Sequence, residues 1–128
     1  MTRKKILLID DERDLCRVMR LNLERSGPYE VETASSGPEG LKKAAETEFD
    51  LVITDFHMPG MDGGAVLHAL KAARPRAPVV LCSVYHDDIT RLTDALQQEA
   101  DGLIGKPIDQ AQLQRTVQSA LARATEGM

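Results

Sequence analysis

Consecutive and alternating apolar residues mark five segments of the chain as strands. The segments at 5–9, 50–54 and 79–82 each contain three or four consecutive apolar residues, which is typical of strands buried on both faces. The segment at 29–34 alternates apolar and polar residues, as a half-exposed strand does. A short apolar segment at 102–105 predicts the last strand.

The segments between these strands have the three-to-four-residue apolar spacing of amphipathic helices. The first helix is predicted over 12–25, with one broad buried face formed by Leu15, Cys16, Val18, Met19 and Leu23. The second is predicted over 36–48, where Ser36 and Glu39 have the spacing of a capping box. Three further helices carry, in chain order, Val66, Leu70 and Ala73; Ile89, Leu92 and Leu96; and Leu113, Val117 and Leu121.

Strands that alternate with helices predict an α/β fold with a parallel sheet covered by helices on both faces. Right-handed crossovers leave few topologies, all of them doubly wound. The flavodoxin-like order 2-1-3-4-5 of the five strands fits best, because the first strand is buried and the second alternates like an edge strand.

Length and composition limit the class of protein. The chain has 128 residues, so we expect a single domain over 1–128 with a core at about 4–123. A net charge of −4 and 3% aromatic residues argue against direct nucleic-acid binding. No segment reaches the ~18 apolar residues of a membrane span. Two isolated cysteines, Cys16 and Cys82, predict reduced core thiols, and we expect a cytoplasmic protein.

Polar residues follow the predicted strands at their carboxyl ends, where open α/β sheets bind ligands. They are Asp10 and Asp11 after the first strand, Asp55 after the third, Ser83 after the fourth and Lys106 after the fifth. Three adjacent carboxylates repel one another unless a cation is bound, and Mg²⁺ prefers such oxygen ligands. An aspartate can attack phosphorus, and an ammonium and a hydroxyl supply countercharge for phosphoryl transfer.

Four segments together resemble the receiver domain of two-component response regulators, the family that includes the single-domain chemotaxis regulator. The similarity spans essentially the whole chain, and the segments are ILLIDDE (6–12), DLVITDFHMPGMDG (50–63), PVVLCS (78–83) and GKP (105–107). The resemblance implies that Asp55 is the phosphoacceptor. It also implies that Asp11, Asp55 and the backbone carbonyl of His57 ligate Mg²⁺, with Asp10 acting largely through water.

The resemblance further implies that Ser83 and Lys106 contact phosphoryl oxygens and that a cis peptide bond precedes Pro107. Ser83 would also be the switch residue that moves toward the phosphoryl group. Many relatives pair that movement with an aromatic ring on the fifth strand. Leu103 stands at that position here, which puts the ring movement in doubt.

Three further residues flank the expected phosphoryl site: His57, Val84 and Tyr85. In the family, the positions of His57 and Tyr85 control how water reaches the acyl phosphate. We therefore hypothesise that these two side chains lengthen the phosphorylated lifetime. Val84 replaces a residue that is usually small, which predicts a tighter pocket rim. Asp62 is predicted to cap the third helix rather than to bind a ligand.

The expected phosphodonor is a sensor histidine kinase or a histidine phosphotransfer protein. The output surface is expected on the fourth helix, fifth strand and fifth helix, facing a partner protein, a second copy of the chain or an output domain that this chain lacks. Such a receiver would not be a turnover enzyme beyond its own phosphorylation and dephosphorylation. Two alternatives stay open: a Mg²⁺-dependent phosphatase of the haloacid dehalogenase type, and a degenerate receiver that acts only as an interaction module. Phosphatases of the haloacid dehalogenase type have their nucleophile after the first strand, whereas Asp55 follows the third.

Overall fold

The computed structural model describes residues 3–84 and 99–126 of the chain. Strands and helices alternate along these ranges. In chain order they are β1 (Lys4–Ile9), α1 (Arg13–Ser26), β2 (Tyr29–Ala34), α2 (Gly37–Glu46), β3 (Leu51–Asp55), α3 (Gly63–Ala73), β4 (Val79–Val84), β5 (Gly102–Lys106) and α4 (Gln110–Glu126). The fourth helix expected from the sequence, around Ile89, Leu92 and Leu96, lies outside the described residues.

Within the described ranges, five strands form one sheet in the order β2-β1-β3-β4-β5. Every neighbouring pair is parallel, and β1 pairs with β2 on one side and β3 on the other. The chain therefore reverses its winding direction between β1 and β3, which is where doubly wound sheets form a crevice at the carboxyl ends of their strands. The predicted fold class and strand order are confirmed.

The core consists of two apolar layers, one on each face of the sheet. On one face, Ile6 and Leu8 of β1 pack with Cys16 of α1 and Val117 of α4. On the other face, Leu7 and Ile9 pack with apolar residues of α3, and Leu41 and Ala44 of α2 lie against the same cluster. Successive side chains of a strand point to opposite faces, so the unbroken aliphatic run of β1 supplies both layers.

The helices α2 and α3 begin at side-chain caps. Ser36 Oγ accepts a hydrogen bond from the Glu39 N–H, and Asp62 Oδ1 accepts one from the Ala65 N–H, which confirms the predicted cap at Asp62. The predicted capping box is only half right, because the Glu39 carboxylate does not return to the Ser36 backbone. It accepts instead from the N–H and the hydroxyl of Ser35, one residue earlier.

The prediction that Val18 belongs to the buried face of α1 is wrong. Val18 is 53% exposed, whereas Cys16, Met19 and Leu23 are buried as expected. Val18 lies two residues from Cys16 and therefore about 160° around the helix from it, on the opposite side from the sheet. Among the described residues, no helix is long and apolar enough to cross a membrane.

Candidate functional site

Three carboxylates meet at the carboxyl ends of β1 and β3. Asp10 and Asp11 follow β1 directly, and Asp55 is the last residue of β3. Each offers one oxygen atom, and these oxygens all lie within 4.8 Å of one another. Asp10 and Asp55 are 2% and 4% exposed, whereas Asp11 is open to solvent. The cluster therefore has two buried members and one that faces outward.

Lys106 links the two buried carboxylates. It is the last residue of β5, and its ammonium donates to Asp10 Oδ2 at 3.1 Å and lies 3.2 Å from Asp55 Oδ1. Burial lowers the pKa of Lys106, but the charges of Asp55 and Asp10 outweigh it and raise that pKa to about 12. The ammonium is thus held in its charged form, and one positive charge faces three carboxylates.

Asp55 holds its proton more tightly than an ordinary aspartate. Burial raises the pKa of Asp55 from 3.8 to about 6, and the charge of Asp10 adds to the effect. Lys106 and a backbone hydrogen bond from His57 act in the opposite direction but do not cancel it. Desolvation and a neighbouring like charge are both relieved when a cation binds, so the site favours one.

The loop that follows Asp55 is closed by two glycines. Gly60 has φ +81°, a conformation that L side chains rarely adopt. Gly63 begins α3, and its N–H donates to the Phe56 carbonyl at 2.8 Å. A Cβ atom at Gly63 would lie 2.5 Å from the Asp55 carbonyl oxygen. The close approach of this glycine holds the loop, including the exposed His57, beside the acidic cluster.

Ser83 and Gly105 occupy facing positions on β4 and β5. Ser83 is 2% exposed and lies one residue beyond Cys82, the register partner of Asp55. The peptide bond between Lys106 and Pro107 is cis, the isomer that the resemblance implies. Leu103, opposite Leu81 in the register, packs against the apolar layer of α2 and α3.

Two of the predicted flanking residues have no described side chain. Tyr85 and the Val84 side chain lie outside the described part of the structure. The backbone of Val84 ends β4 opposite Lys106.

Two contacts of Asp10 were not anticipated. Its Oδ1 accepts a hydrogen bond from the Glu12 N–H at 2.9 Å, and its backbone carbonyl accepts one from the Cys16 thiol at 3.4 Å. The first is an Asx turn, which an aspartate shortly before a helix start can signal in a sequence. The second has no sequence signal, because Cys16 has the spacing of an ordinary core residue.

The donor set fits a hard divalent cation. Three carboxylates within reach of one another supply oxygen ligands only, and Asp11 is exposed and able to keep bound water. Mg²⁺ prefers one or two carboxylates together with several waters, whereas Zn²⁺ prefers the nitrogen and sulfur ligands of histidine and cysteine. The acidic residues of this pocket can therefore hold a metal ion of the Mg²⁺ type.

Fold and site together define a class of protein: doubly wound α/β domains with an acidic pocket at the switch point of a 2-1-3-4-5 sheet. The model of the response regulator receiver domain matches residues 6–118 of the chain. The chain belongs to this family, the receiver domains of two-component systems.

Solved structures of receiver domains have the same fold. A response regulator receiver domain protein from Clostridium thermocellum is 33% identical with a TM-score of 0.90, and the match covers 98% of this chain and 99% of that one. The response regulator TrrA of Thermotoga maritima, in complex with Mg²⁺-BeF, is 31% identical with a TM-score of 0.82 over 91% of this chain and 98% of that one.

Parts of longer transcriptional regulators are similar in sequence to this chain. The alkaline phosphatase synthesis transcriptional regulatory protein PhoP of Bacillus subtilis (strain 168) is 34% identical over 121 residues, which are 94% of this chain and 50% of PhoP. The transcriptional regulatory protein ZraR of Escherichia coli (strain K12) is 37% identical over 117 residues, 91% of this chain and 26% of ZraR. The chain thus spans about half the length of PhoP and about a quarter of ZraR.

Proposed function

We propose that this receiver domain accepts a phosphoryl group on Asp55 from a phosphohistidine, in the presence of Mg²⁺, and thereby switches a protein-interaction surface. The observation that carries the proposal is the position of Asp55. Its carboxylate is buried at the end of β3, shares the pocket with two further acids, and lies 3.2 Å from the Lys106 ammonium. We propose that the whole chain, residues 1–128, is this one domain, located in the cytoplasm.

In the proposed transfer, an Asp55 carboxylate oxygen attacks the phosphorus of the donor. The P–O bond to Asp55 forms as the P–N bond to the donor histidine breaks, and the electron pair of that bond stays on the imidazole. The donor would be a sensor histidine kinase or a histidine phosphotransfer protein. Water attack on the phosphorus would return Asp55 and release inorganic phosphate. Beyond this phosphorylation and dephosphorylation of its own aspartate, the domain would not be a turnover enzyme.

The remaining residues of the pocket would manage charge. Lys106 would move its contact from the Asp55 carboxylate to a phosphoryl oxygen, since its ammonium already lies at hydrogen-bond distance from both buried acids. Asp11, Asp55 and the carbonyl of His57 would hold Mg²⁺ directly, with Asp10 acting largely through water. The ion would supply positive charge to the phosphoryl oxygens. TrrA, at 31% identity, was solved with Mg²⁺-BeF, which supports this metal here.

The proposed output begins at Ser83. Its hydroxyl would turn toward a phosphoryl oxygen and bias the segment after β4 between two states. Leu103 on β5 has no ring to turn inward, so this coupling would run without the aromatic movement of many relatives. The surface that changes would include β5 and α4 and would face a partner protein, a second copy or an output domain. PhoP and ZraR are longer transcriptional regulators, which supports the last of these.

Intact-mass spectrometry tests the phosphoacceptor directly. The protein is incubated with Mg²⁺ and acetyl phosphate, and its mass is compared with that of Asp55→Asn under the same conditions. We expect wild type to gain the mass of one phosphoryl group and Asp55→Asn to gain none. A wild type that gains no phosphate, or an Asp55→Asn protein that gains as much, would contradict the proposal.

A matched control separates the site from other surface acids. Asp62→Asn changes an exposed aspartate seven positions further along the chain, and asparagine caps helices as well as aspartate does. This variant is expected to be phosphorylated like wild type. EDTA is expected to abolish the mass gain in both proteins.

A further inference from the structure

Three arginines of α1 lie along one side of the helix. Arg13, Arg17 and Arg20 are separated by four and three residues, so they fall within an arc of about 60° around the helix axis. All three are exposed. Seven residues of α-helix correspond to about 10 Å along the axis, so the row presents three positive charges over that length.

These arginines line a cavity rather than a convex surface. The cavity, of about 330 Å³, lies between α1 and the segment that leads from β2 into α2. Thr33, Ser35 and Glu39 also line it. A concave site of this size is at the lower end of the range of small-molecule pockets, roughly 300 to 1,000 Å³.

The carboxylates of the cavity already have cationic partners. Asp10 is paired with Lys106, and the Glu39 carboxylate lies 3.7 Å from Lys43 and accepts the hydrogen bonds of Ser35. Lys106 is shared between Asp10 and Asp55, so the positive charge of the cavity comes from its lining, where three arginines outnumber the two carboxylates Asp10 and Glu39.

Two of the three guanidinium groups have no counter-ion among the residues that the structure describes. Arg20 Nε lies 3.4 Å from Glu24 Oε1. Arg13 and Arg17, in contrast, make no ion pair or hydrogen bond through their side chains with any residue in 3–84 or 99–126. Guanidinium groups match phosphate oxygens in two-point hydrogen bonds. Their backbone positions are spread over about 10 Å of helix, a length that suits a chain of two or three phosphates better than a single one.

We propose that this arginine cleft, defined by Arg13, Arg17 and Arg20, binds an oligophosphate group. The group could belong to a nucleoside diphosphate or triphosphate or to an inorganic oligophosphate, because the recognised chemistry is the same. The site is separate from phosphorylation of Asp55, and its occupancy does not require that reaction. Because Asp10 also lines the cavity, a ligand there would lie beside the acidic cluster.

Isothermal titration calorimetry with inorganic tripolyphosphate in EDTA tests the proposal on the full chain. EDTA keeps the acidic cluster from recruiting the probe through a metal ion. We expect saturable binding that weakens with added salt. Loss of one charge-assisted contact in Arg17→Gln should weaken it about tenfold. Arg25→Gln removes the same charge from the last turn of α1, outside the cavity, and should change it less than twofold.

Further arms identify the ligand and the site. Asp55→Asn should retain saturable binding of tripolyphosphate, because the site does not require phosphorylation of Asp55. Binding of ATP that is tighter than that of tripolyphosphate would assign the site to a nucleotide, and equal binding would assign it to the phosphate chain alone. The proposal is overturned if tripolyphosphate shows no saturable binding at millimolar concentration, if orthophosphate binds as tightly, or if Arg25→Gln weakens binding as much as Arg17→Gln. Urea unfolding of Arg17→Gln confirms that the variant is folded.

Discussion

The raised pKa of Asp55 predicts that the candidate phosphoacceptor destabilises the metal-free protein at neutral pH. The perturbation that tests this is Asp55→Asn, which keeps the size of the side chain and removes its charge. In the folded protein Asp55 keeps its proton up to a pH of about 6, whereas an ordinary aspartate loses it near 3.8. The unfolded chain is therefore favoured as the pH rises between these values, because it ionises more easily.

The magnitude follows from that difference. Each pKa unit corresponds to about 1.4 kcal/mol, so the ionised Asp55 costs the folded state roughly 3 kcal/mol above pH 6. Below 3.8 the carboxyl group is protonated in both states and the cost vanishes. Asparagine is neutral at every pH. Asp55→Asn should therefore match wild type near pH 4 and be more stable by up to about 3 kcal/mol at pH 8.

The assay is urea unfolding in EDTA at a series of pH values from 4 to 8, with circular dichroism as the measure of folded protein. The exposed Asp62→Asn is the matched control, and its free energy of unfolding should stay within about 0.5 kcal/mol of wild type throughout. If Asp55→Asn is no more stable than wild type at pH 8, or if its advantage does not change with pH, the reasoning about burial and like charge at Asp55 is refuted.

Two further predictions concern the metal and the loop. Mg²⁺ at one hundred times its dissociation constant should raise the free energy of unfolding of wild type by about 2.7 kcal/mol. It should have little effect on Asp11→Asn, so equal stabilisation of both would show that Asp11 is not a ligand; thermal denaturation with and without Mg²⁺ measures this. Gly63→Ala should cost about 2 kcal/mol in urea unfolding, because its Cβ would meet backbone atoms of Asp55 and Phe56 at 2.5 and 2.6 Å. Gly60→Asn, in the same loop with open space around it, should cost less than 1 kcal/mol, and a similar loss in both would argue against the close approach at Gly63.

The sequence predicted the sheet well because the hydrophobic patterns of its strands are clear. The aliphatic run of β1 supplies both apolar layers, and the alternation of β2 matches its edge position. The pattern failed at Val18, because a broad apolar arc on a helix does not say where burial ends. It also could not give the contacts of Lys106, which lies 96 positions from Asp10. Because Asp10 and Lys106 both follow strand ends, the sequence predicts that they are neighbours. Which carboxylate oxygens the Lys106 ammonium contacts depends on the register and twist of the sheet.

The unfavourable energetics of the acidic pocket bear on how it could control a signal. Among the described residues, one ammonium faces three carboxylates, two of which are buried, so the negative charge of these metal-free carboxylates exceeds the positive charge beside them. A stable pocket would gain little from a ligand, whereas this one gains both from neutralisation and from the relief of desolvation. A ligand shifts a conformational equilibrium only by its difference in affinity for the two states. Under the proposed function, a cation and a phosphoryl group would relieve the cost of burying Asp55, and only the part of that relief that differs between two states would shift their equilibrium.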